Sequence, residues 1–404
     1  MKCRFCKNNL NDVFVDLINS PASNSYLTKE QLNEPEAFYP LKIFVCSSCK
    51  LVQIDEYKKS DDIFDEDYAY FSSYSSSWLD HAKTYVDSMT KRLSLDKNSK
   101  VTEIASNDGY LLQYFKEKNI PCLGVEPTSN TAKAAKEKGI DVVQDFFGSS
   151  VAKKIEKSDL ILGKNVLAHV PDINDFVNGL KIALKTDGTI TMEFPHLLNL
   201  IKENQFDTIY HEHFSYLSFY SVKQIFENQD LKLYDVEKFN THGGSIRIYA
   251  THIESDIKIS ENVDNLLKEE KAFGLFDMDI YQGFQEKADK VKNDLLDFLL
   301  TAKKKNKKVI AYGAAAKGVT LLNYAGVKND LVEFVVDKSP HKQNKYLPAS
   351  HIPIISECNV KDFKPDYVLI LPWNLKNEIM EQLSYIKEWG GKFVVAVPDL
   401  KIFK

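Results

Sequence analysis

The sequence predicts an α/β protein in which a small cysteine-containing module precedes two domains with parallel sheets. Two observations support this prediction: strand-like and helix-like segments alternate in two separate parts of the chain, and four of the six cysteines form two tight pairs. Such alternation is typical of parallel sheets with helices on both faces. Because 404 residues exceed one ordinary core, we expect three domains, at residues 1–66, 67–290 and 291–404.

The two alternations predict a central sheet and a separate, Rossmann-like sheet near the end of the chain. An amphipathic helical stretch at 78–93 precedes the first alternation, and a charged helical stretch at 257–302 is expected to bridge two domains. The expected strands are 100–105, 121–125, 160–165, 189–194, 245–251, 308–312, 332–337, 367–370 and 392–397, and the expected helices are 110–118, 130–138, 173–184, 317–324 and 376–389.

Composition describes a folded protein and excludes two kinds of partner. The hydrophobic fraction is 44% and the formal net charge is -5, with both signs spread along the chain, so nucleic acid has no basic surface to bind. No apolar run approaches the roughly 18–20 residues that span a bilayer. The chain begins Met1-Lys2-Cys3 without an apolar signal core, so we expect a cytoplasmic protein with no membrane partner.

The two cysteine pairs, Cys3-x-x-Cys6 and Cys46-x-x-Cys49, predict a zinc site. Each pair lets two thiolates reach one ion, and four thiolates close a tetrahedral site with no open position, so this Zn²⁺ is expected to be structural. Four unlinked thiols are the alternative. In a module this small, zinc would supply about 10–16 kcal/mol toward folding. The other two cysteines, Cys122 and Cys358, are expected to be core thiols.

A turn after the first central strand is a candidate binding site. The segment 101–109 ends a strand and opens a helix, where ligand atoms can approach backbone amides. The segment combines an acid, a small turn and, after the next strand, a second acid that could bind both hydroxyls of a ribose. This combination suits S-adenosylmethionine better than a dinucleotide, because S-adenosylmethionine has no pyrophosphate to be bound. An ordinary strand–helix turn is the alternative. The residues predicted to bind this donor are Glu103, Ser106, Asn107, Gly109, Glu126, Pro127, Asp145, Phe146 and Asn165.

An imidazole and two phenols flank this candidate site. His169 lies just beyond the strand at 160–165, at the edge of the sheet where open parallel sheets bind ligands. A purely structural histidine is an equal alternative. Tyr68 and Tyr70 belong to an aromatic, hydroxyl-rich stretch between the first module and the sheet. Such residues either close a pocket or pack a domain junction.

A second strand–helix turn, at residues 312–318, predicts a phosphate or diphosphate site. It consists of small residues followed by a lysine at the start of a helix. It departs from the dinucleotide fingerprint, so NAD is not expected. The polar segment after the next strand either contacts the nucleotide part of a substrate or is a solvated loop. The residues predicted to bind substrate are Gly313, Ala314, Lys317, Asp337, His341 and Lys342.

The segment from Tyr210 to Tyr216 is the strongest candidate for proton transfer. It places two imidazoles, a carboxylate and two phenols in seven residues. Histidine suits this chemistry because its pKa lies near neutral pH. His211 and His213 would point the same way on a strand, as metal ligands can, but a third ligand is missing nearby. Metal binding and structural packing are therefore weaker alternatives to a catalytic base.

Taken together, these parts resemble the sugar C-methyltransferases of deoxysugar biosynthesis over nearly the whole chain. The similarity rests on the cysteine pairs and on ordered motifs at 103–109, 165–171, 210–213, 241–247 and 311–318. It implies a zinc-binding N-terminal domain, a central class I S-adenosylmethionine-dependent methyltransferase domain and a C-terminal Rossmann-like domain for a sugar nucleotide. It also implies His213 as general base, with Tyr210, Glu212, His169 and either Tyr68 or Tyr70 near the reacting centre.

The implied reaction is methylation at carbon 3 of a nucleotide-linked 4-keto-6-deoxysugar. A 4-keto group acidifies the hydrogen at carbon 3, so a base can form an enolate that is stabilised by hydrogen-bond donors. The resemblance favours dTDP over GDP or CDP as the nucleotide. Two alternatives stay open: an O- or N-methyltransferase of a small metabolite or sugar, and a zinc-dependent binding protein with a degenerate methyltransferase fold. A monomer is expected.

Overall fold

The computed structural model describes residues 1–57 and 71–404 and contains seventeen strands in three sheets. Tyr68 and Tyr70 lie outside the described residues. The strands are β1 (Asp12–Ser20), β2 (Tyr39–Val45), β3 (Val52–Ile54), β4 (Val101–Ile104), β5 (Cys122–Val125), β6 (Asp141–Val143), β7 (Ser158–Lys164), β8 (Leu184–Pro195), β9 (Ser215–Tyr216), β10 (Leu231–Phe239), β11 (Ser245–His252), β12 (Val309–Tyr312), β13 (Val335–Val336), β14 (Ile354–Ile355), β15 (Tyr367–Ile370), β16 (Lys392–Val395) and β17 (Lys401–Phe403).

Helices connect and cover these strands, and side-chain caps fix several of their starts. The Ser75, Asp172 and Ser218 side chains each accept a hydrogen bond from a backbone amide of the first turn. The α-helices are α1 (Ser76–Arg92), α2 (Leu112–Glu117), α3 (Ser129–Glu137), α4 (Ser149–Ala152), α5 (Ile173–Ala183), α6 (Leu197–Lys202), α7 (Phe219–Glu227), α8 (Glu261–Phe273), α9 (Phe284–Lys304), α10 (Ala316–Tyr324), α11 (Asn359–Phe363) and α12 (Lys376–Gln382); 3₁₀ turns lie at Gln31–Asn33, Ser72–Tyr74, Leu167–His169, Phe206–Thr208, Thr241–Gly243, Asp279–Tyr281, Trp373–Leu375 and Ser384–Trp389.

The central sheet has seven strands in the order β10-β11-β8-β7-β4-β5-β6. Strands β4 to β8 run parallel to their neighbours, while β11 runs antiparallel between β8 and β10. All four residues of β4 are buried, as a parallel strand with helices on both faces requires. This confirms the predicted α/β class and brings the ends of β4, β5 and β7 to one edge.

Two further sheets flank the central one. The last part of the chain forms the order β14-β13-β12-β15-β16-β17, parallel except for β17, which confirms the Rossmann-like expectation. The N-terminal residues form an antiparallel sheet, β1-β2-β3-β9. Its fourth strand comes from Ser215–Tyr216, so the candidate proton-transfer segment runs directly into the N-terminal sheet.

One expectation about secondary structure was wrong, and some elements were not anticipated. The charged stretch at 257–302 is not one helix, because it breaks between α8 and α9 at Gly274 and Gly283. Both glycines have positive φ, at 100° and 77°, a conformation that ends helices. Helix α7 and strand β10 were not anticipated. No helix in the described ranges is long and apolar enough to cross a membrane.

Candidate active site

A cavity of about 670 Å³ opens at the carboxyl ends of β4, β5 and β7. This is the edge at which open parallel sheets bind ligands. The chain turns sharply there, with non-glycine residues Ala105, Asn107 and Asn165 in the left-handed region at φ 55°, 49° and 54°. The predicted donor-binding residues that line the cavity are Asn107, Glu126, Pro127, Asp145, Phe146 and Asn165.

Glu126 is fixed in place by the turn that precedes it in the sheet. The Asn107 amide donates to its Oε2 at 2.8 Å, and the Thr128 amide donates to its Oε1 at 3.0 Å. Hydrogen bonds from backbone amides of this kind fix the orientation of a carboxylate. The Glu126 side chain is thus held at the cavity wall, where its oxygen atoms can accept further hydrogen bonds.

The remaining predicted donor residues build the turn behind the cavity wall. Glu103 is fully buried, and burial raises the pKa of its carboxyl well above the ordinary value. Ser106 packs so closely on β5 that a Cβ at Gly124 would lie 2.4 Å from its Oγ, and Gly109 needs its φ of 73°. Direct contact of these three residues with the donor stays a prediction.

His213 is held in one tautomer at the far side of the site. Its Nδ1 lies 3.0 Å from the Thr208 carbonyl oxygen, which can only accept, so Nδ1 carries the proton. Nε2 is then the basic nitrogen, and it accepts a hydrogen bond from the Tyr210 hydroxyl at 3.0 Å. The segment therefore presents a base whose lone pair faces a phenol.

The other predicted residues of this segment surround the base in different ways. The His169 and His213 rings lie 4.7 Å apart, and His169 also lines the cavity. The Glu212 side chain turns the other way and accepts from Asn24 Nδ2 at 2.7 Å, which ties it to the N-terminal module. Sequence reasoning missed Asn24, since nothing near it indicates this partner.

His211 does not share the base's environment. Its Nε2 lies 3.1 Å from the Pro40 carbonyl oxygen, and its ring packs against Tyr39 and Tyr57. Residues 211 and 212 form a turn, so His211 and His213 do not point the same way as on a strand. In the described parts of the chain, the group suited to hold a metal is the cysteine set.

Burial keeps three imidazoles neutral at this site. Desolvation lowers the pKa of His169 to about 4, and it also lowers the pKa of His213 well below 6.5. Repulsion between the protonated forms of the two imidazoles is a smaller cause of the second shift. The pKa of His242, which lines the cavity, falls to about 4 because of burial and the Lys317 ammonium. A neutral imidazole can accept a proton, whereas a charged one cannot.

A buried charge network, which sequence reasoning missed, supports the cavity wall. The Glu193 carboxylate contacts His81 Nε2 at 2.7 Å, Lys164 Nζ at 2.9 Å and Arg247 Nη2 at 2.7 Å. Burial opposes its ionisation, but these partners hold the pKa of Glu193 well below its ordinary value. Burial lowers the pKa of Lys164 to about 8. Lys164 also lines the cavity, beside Asn165.

The second predicted turn is closed by its own polar residues. The Ala314 amide donates to Asp337 Oδ2 at 2.8 Å, and Lys342 Nζ donates to the Ala314 carbonyl at 2.8 Å. Gly313 has φ 89°, and a Cβ there would lie 2.5 Å from Pro372. The Ala314 amide is thus already bonded to Asp337, and contact of this turn with a substrate stays a prediction.

Two other predicted substrate residues, Lys317 and His341, take no part in these hydrogen bonds. Lys317 donates to Asn374 Oδ1 at 2.7 Å, and its ammonium lies 4.5 Å above the Trp373 ring, on the side of His213, whose pKa it helps to lower. His341 is exposed and stacks on Tyr74, with 6.1 Å between ring centroids. The structure brings Lys317 toward the base and leaves His341 at the surface.

The four cysteines of the N-terminal module fit a zinc ion. Cys3 and Cys49 Sγ lie 3.6 Å apart, Cys6 and Cys46 Sγ lie 3.5 Å apart, and all four lie within 4.8 Å of one another. Tetrahedral Zn–S bonds of about 2.3 Å require sulfur atoms roughly 3.8 Å apart. The expectation of core thiols was wrong for Cys358, which is exposed, and Cys122 is only partly buried.

Comparisons with known proteins agree with this geometry. Three families match successive parts of the chain: a zinc binding domain at 3–64, a methyltransferase domain at 78–236 and a C-methyltransferase C-terminal domain at 240–398. The C-methyltransferase NovU of Streptomyces niveus is 32% identical over 408 residues, which cover 99% of this chain and 96% of NovU.

Two solved structures resemble part of the chain. The PH0226 protein from Pyrococcus horikoshii OT3 is 14% identical, with a TM-score of 0.38, over 46% of this chain and 95% of that one. An S-adenosylmethionine-dependent methyltransferase from Clostridium acetobutylicum ATCC 824 is 12% identical, with a TM-score of 0.36, over 43% of this chain and 92% of that one.

The sheet, the cavity and the cysteine set define an S-adenosylmethionine-dependent methyltransferase with a zinc-binding domain. The residues that would hold the donor are those that line the cavity around Glu126. The chain belongs to the C-methyltransferase family that includes NovU. This membership favours carbon over oxygen or nitrogen as the methylated atom, and an enzyme over a binding protein with a degenerate fold.

Replacing one of the four cysteines is expected to release zinc and to lower thermal stability. In Cys49→Ser a thiolate ligand is lost, and structural zinc contributes on the order of 10 kcal/mol to the folding of small modules. The melting temperature should fall by several degrees, and zinc measured by mass spectrometry should drop well below that of the unsubstituted protein. Cys358→Ser, an exposed cysteine outside the set, is the control and should change neither quantity. An unchanged zinc content in Cys49→Ser would contradict the assignment.

Proposed function

We propose that this enzyme transfers a methyl group to carbon 3 of a nucleotide-linked 4-keto-6-deoxysugar, with dTDP as the nucleotide. The observation that carries the proposal is the His213 imidazole, which is buried, neutral and fixed with Nε2 as its basic nitrogen. Hydrogen bound to carbon is only weakly acidic, even beside a ketone. Its removal near neutral pH therefore requires a positioned base with a free lone pair. S-adenosylmethionine, when bound, supplies the electrophilic methyl group.

The residues around His213 suit the formation of an enolate. His213 Nε2 takes the proton from carbon 3, and the electron pair of that bond moves toward the keto oxygen at carbon 4. The Tyr210 hydroxyl and His169 lie beside the base. The acceptor is proposed to displace the Tyr210 hydroxyl from His213 Nε2, so that Nε2 can take the proton from carbon 3, while the hydroxyl and His169 donate hydrogen bonds to the developing oxyanion. Carbon 3 then gains the methyl group, the donor's carbon–sulfur bond breaks, and its electron pair returns to sulfur.

The remaining predicted residues are proposed to have different roles. Glu212 is bonded to Asn24, so it is proposed to orient the segment rather than to move a proton. Tyr68 or Tyr70 is proposed to reach the reacting centre, on the strength of the family resemblance alone. Glu103, Ser106 and Gly109 are proposed to act through the shape of the donor turn.

The C-terminal Rossmann-like sheet is proposed to hold the sugar nucleotide. Lys317 is the cation nearest the base among the predicted substrate residues, so it is proposed to contact the sugar or the adjoining phosphate. Gly313, Ala314, Asp337 and Lys342 form one hydrogen-bonded turn that is proposed to contact the nucleoside. His341 is proposed to lie at its outer edge. The domain boundaries at 66/67 and 290/291 stay a proposal, and α9 crosses the second of them.

The direct test is incubation of the purified protein with S-adenosylmethionine and a panel of nucleotide-linked 4-keto-6-deoxysugars. One sugar should gain the mass of a single methyl group, and carbon-13 NMR should show a new carbon–carbon bond at carbon 3. The same sugars reduced to 4-hydroxyl compounds serve as the control and should not react, because their hydrogen at carbon 3 is not acidic. A methyl group found on oxygen or nitrogen would exclude the proposal.

The His213→Asn substitution is expected to reduce kcat by about 10²–10⁴-fold, the usual contribution of a general base. The Asn amide can still donate to the Thr208 carbonyl, as Nδ1 does, but it has no atom at the position of Nε2. Donor affinity, measured by calorimetry, should therefore stay within about threefold of the wild-type value. His211→Asn is the control: its ring packs outside the base's environment, so turnover should persist. Near-normal turnover in His213→Asn would remove this residue as the base.

The pH dependence of kcat/KM should reflect a base with a lowered pKa. Because desolvation holds the pKa of His213 well below 6.5, activity should be constant from pH 8 to pH 6 and should decline only at lower pH. Stability changes with the same sign. The buried imidazoles stay neutral while the unfolded chain takes up protons below pH 6.5, so the free energy of unfolding falls as pH drops.

The melting temperature should be measured at each pH to separate these two effects. An acid limb of kcat/KM centred near pH 6.5, at a pH where the protein is still folded, would show that the base has an ordinary pKa.

A further inference from the structure

His242 is a partly buried histidine to which the proposed reaction gives no task. It lies in the turn between β10 and β11 and has φ 54° and ψ 23°. This left-handed conformation is unfavourable for a residue with a Cβ and persists only where the surroundings impose it. Unusual backbone of this kind is concentrated at functional sites, so the reason for it lies in the neighbours of the turn.

The turn is clamped from two sides. Gly243 and Gly244 follow with φ 88° and 113°, and a Cβ at Gly243 would lie 2.4 Å from the Trp373 ring. Gln205 Nε2 donates to the Gly243 carbonyl at 2.7 Å. A Cβ at Gly244 would lie 2.2 Å from Asn199. The C-terminal sheet and the end of α6 therefore fix the position of the His242 ring.

The fixed ring lies near both the donor cavity and the base. His242 lines the cavity, and its ring lies 5.0 Å from that of Trp78, another lining residue. His242 is also close enough to His213 to contribute to lowering its pKa. We call this position, near both the cavity and the base, the junction.

Charged and titratable groups surround this ring from several elements. Lys317 of α10 helps to lower the pKa of His242, as do Lys164 and His81, while Glu193 raises it. Burial is the largest cause, and the pKa of about 4 leaves the imidazole neutral. A neutral ring places a polar nitrogen at the junction without a positive charge that would oppose a sulfonium.

The Nε2 atom of His242 is buried and has no hydrogen-bond partner within residues 1–57 and 71–404. A buried nitrogen left without a partner costs free energy, so natural proteins keep few of them. The cost is recovered if a ligand supplies the partner. The cavity adjoining the ring is where such a ligand enters.

We propose that His242 Nε2 forms a hydrogen bond to an oxygen atom of the sugar acceptor and so fixes the acceptor in line with the donor's methyl group. This inference rests on the proposed function, since it takes the acceptor to be a hydroxylated sugar. The sulfonium and methyl of the donor accept no hydrogen bond, and a bond from Nε2 to another group of the donor is the alternative that the calorimetry below distinguishes.

The test compares two substitutions at histidines in the same backbone conformation. His242→Asn keeps a residue that tolerates the left-handed region but has no atom at the position of Nε2. His351→Asn is the matched control, because His351 also has a left-handed φ of 53° but lies at the surface beside Glu36. Kinetics with the 4-keto sugar that the wild-type enzyme methylates and calorimetry with S-adenosylmethionine are measured for each.

In His242→Asn, kcat/KM for the sugar should fall by roughly 10²-fold, the usual loss of one directed hydrogen bond in a buried site. Donor affinity should stay within about threefold. His242→Gly, which relaxes the backbone and leaves a space, should regain activity when imidazole is added. A role confined to the fold predicts no such rescue. His351→Asn should leave both measurements unchanged.

Each other outcome decides the matter in a different way. If the wild-type enzyme methylates no 4-keto sugar, the proposed function and this inference both fail. If the wild type is active and His242→Asn keeps its kcat/KM, the inference alone fails. A loss of donor affinity as large as the loss in kcat/KM would also overturn it, since Nε2 would then contact the donor.

Discussion

The pairing of the Glu193 carboxylate with its buried partners is the interaction on which the donor cavity depends. Glu193 lies on β8, and its partners Lys164, Arg247 and His81 come from β7, β11 and α1. A buried ion pair that loses one member costs about 3–5 kcal/mol, because the other charge is left uncompensated. The network therefore holds three strands and a helix together, because each of them contributes a side chain that the Glu193 carboxylate needs in order to be buried. The Trp78 ring, which lines the cavity, stacks on the His81 ring with 5.1 Å between ring centroids, so the network also fixes this part of the cavity wall.

The base is held by contributions from all three sheets. Its segment ends in β9, which pairs with the N-terminal sheet, and the Glu212 side chain bonds to Asn24. On the other side, Thr320 Oγ1 of α10 donates to the Ile209 carbonyl at 2.8 Å. The His169 ring reaches it from the end of β7. The proposed role of His213 as base requires such support, because errors in position of about 1 Å cost large factors in rate.

Patterns of apolar residues in the sequence predicted those elements whose structure depends mainly on the burial of their own side chains. The strand at 367–370 has the predicted bounds, because a short apolar run in a buried sheet admits few alternatives. The break between α8 and α9 was marked by Gly274 and Gly283, and the charged periodicity on either side concealed it. Strand β9 could not be predicted, because two residues carry no periodic signal and their partner β3 lies far away in the sequence.

The candidate site shows the same division between local and distant information. The turn at Asn107, the acid at Glu126 and the segment around His213 stand out because polar residues follow apolar strands. His242 belongs to the motif at 241–247, but the motif does not indicate a place at the cavity, because the surroundings of His242 are made by Trp373 and Trp78 from distant parts of the chain. Lys317 was expected to face a phosphate from its place at a helix start. Its contacts with Asn374 and Trp373 depend on a loop that the motif does not contain.

The pairing of β9 with β3 also constrains how such a chain can change over generations. A zinc module at the start of a chain looks like a unit that gene fusion could add, remove or exchange. Here its sheet is completed by Ser215–Tyr216, and Asn24 is bonded to Glu212 within the segment that carries the base. Exchange of the first 57 residues for those of a relative would succeed only if residues 212–216 were inherited with them. We therefore expect the module and the proton-transfer segment to be inherited together, although more than 150 residues of sequence separate them.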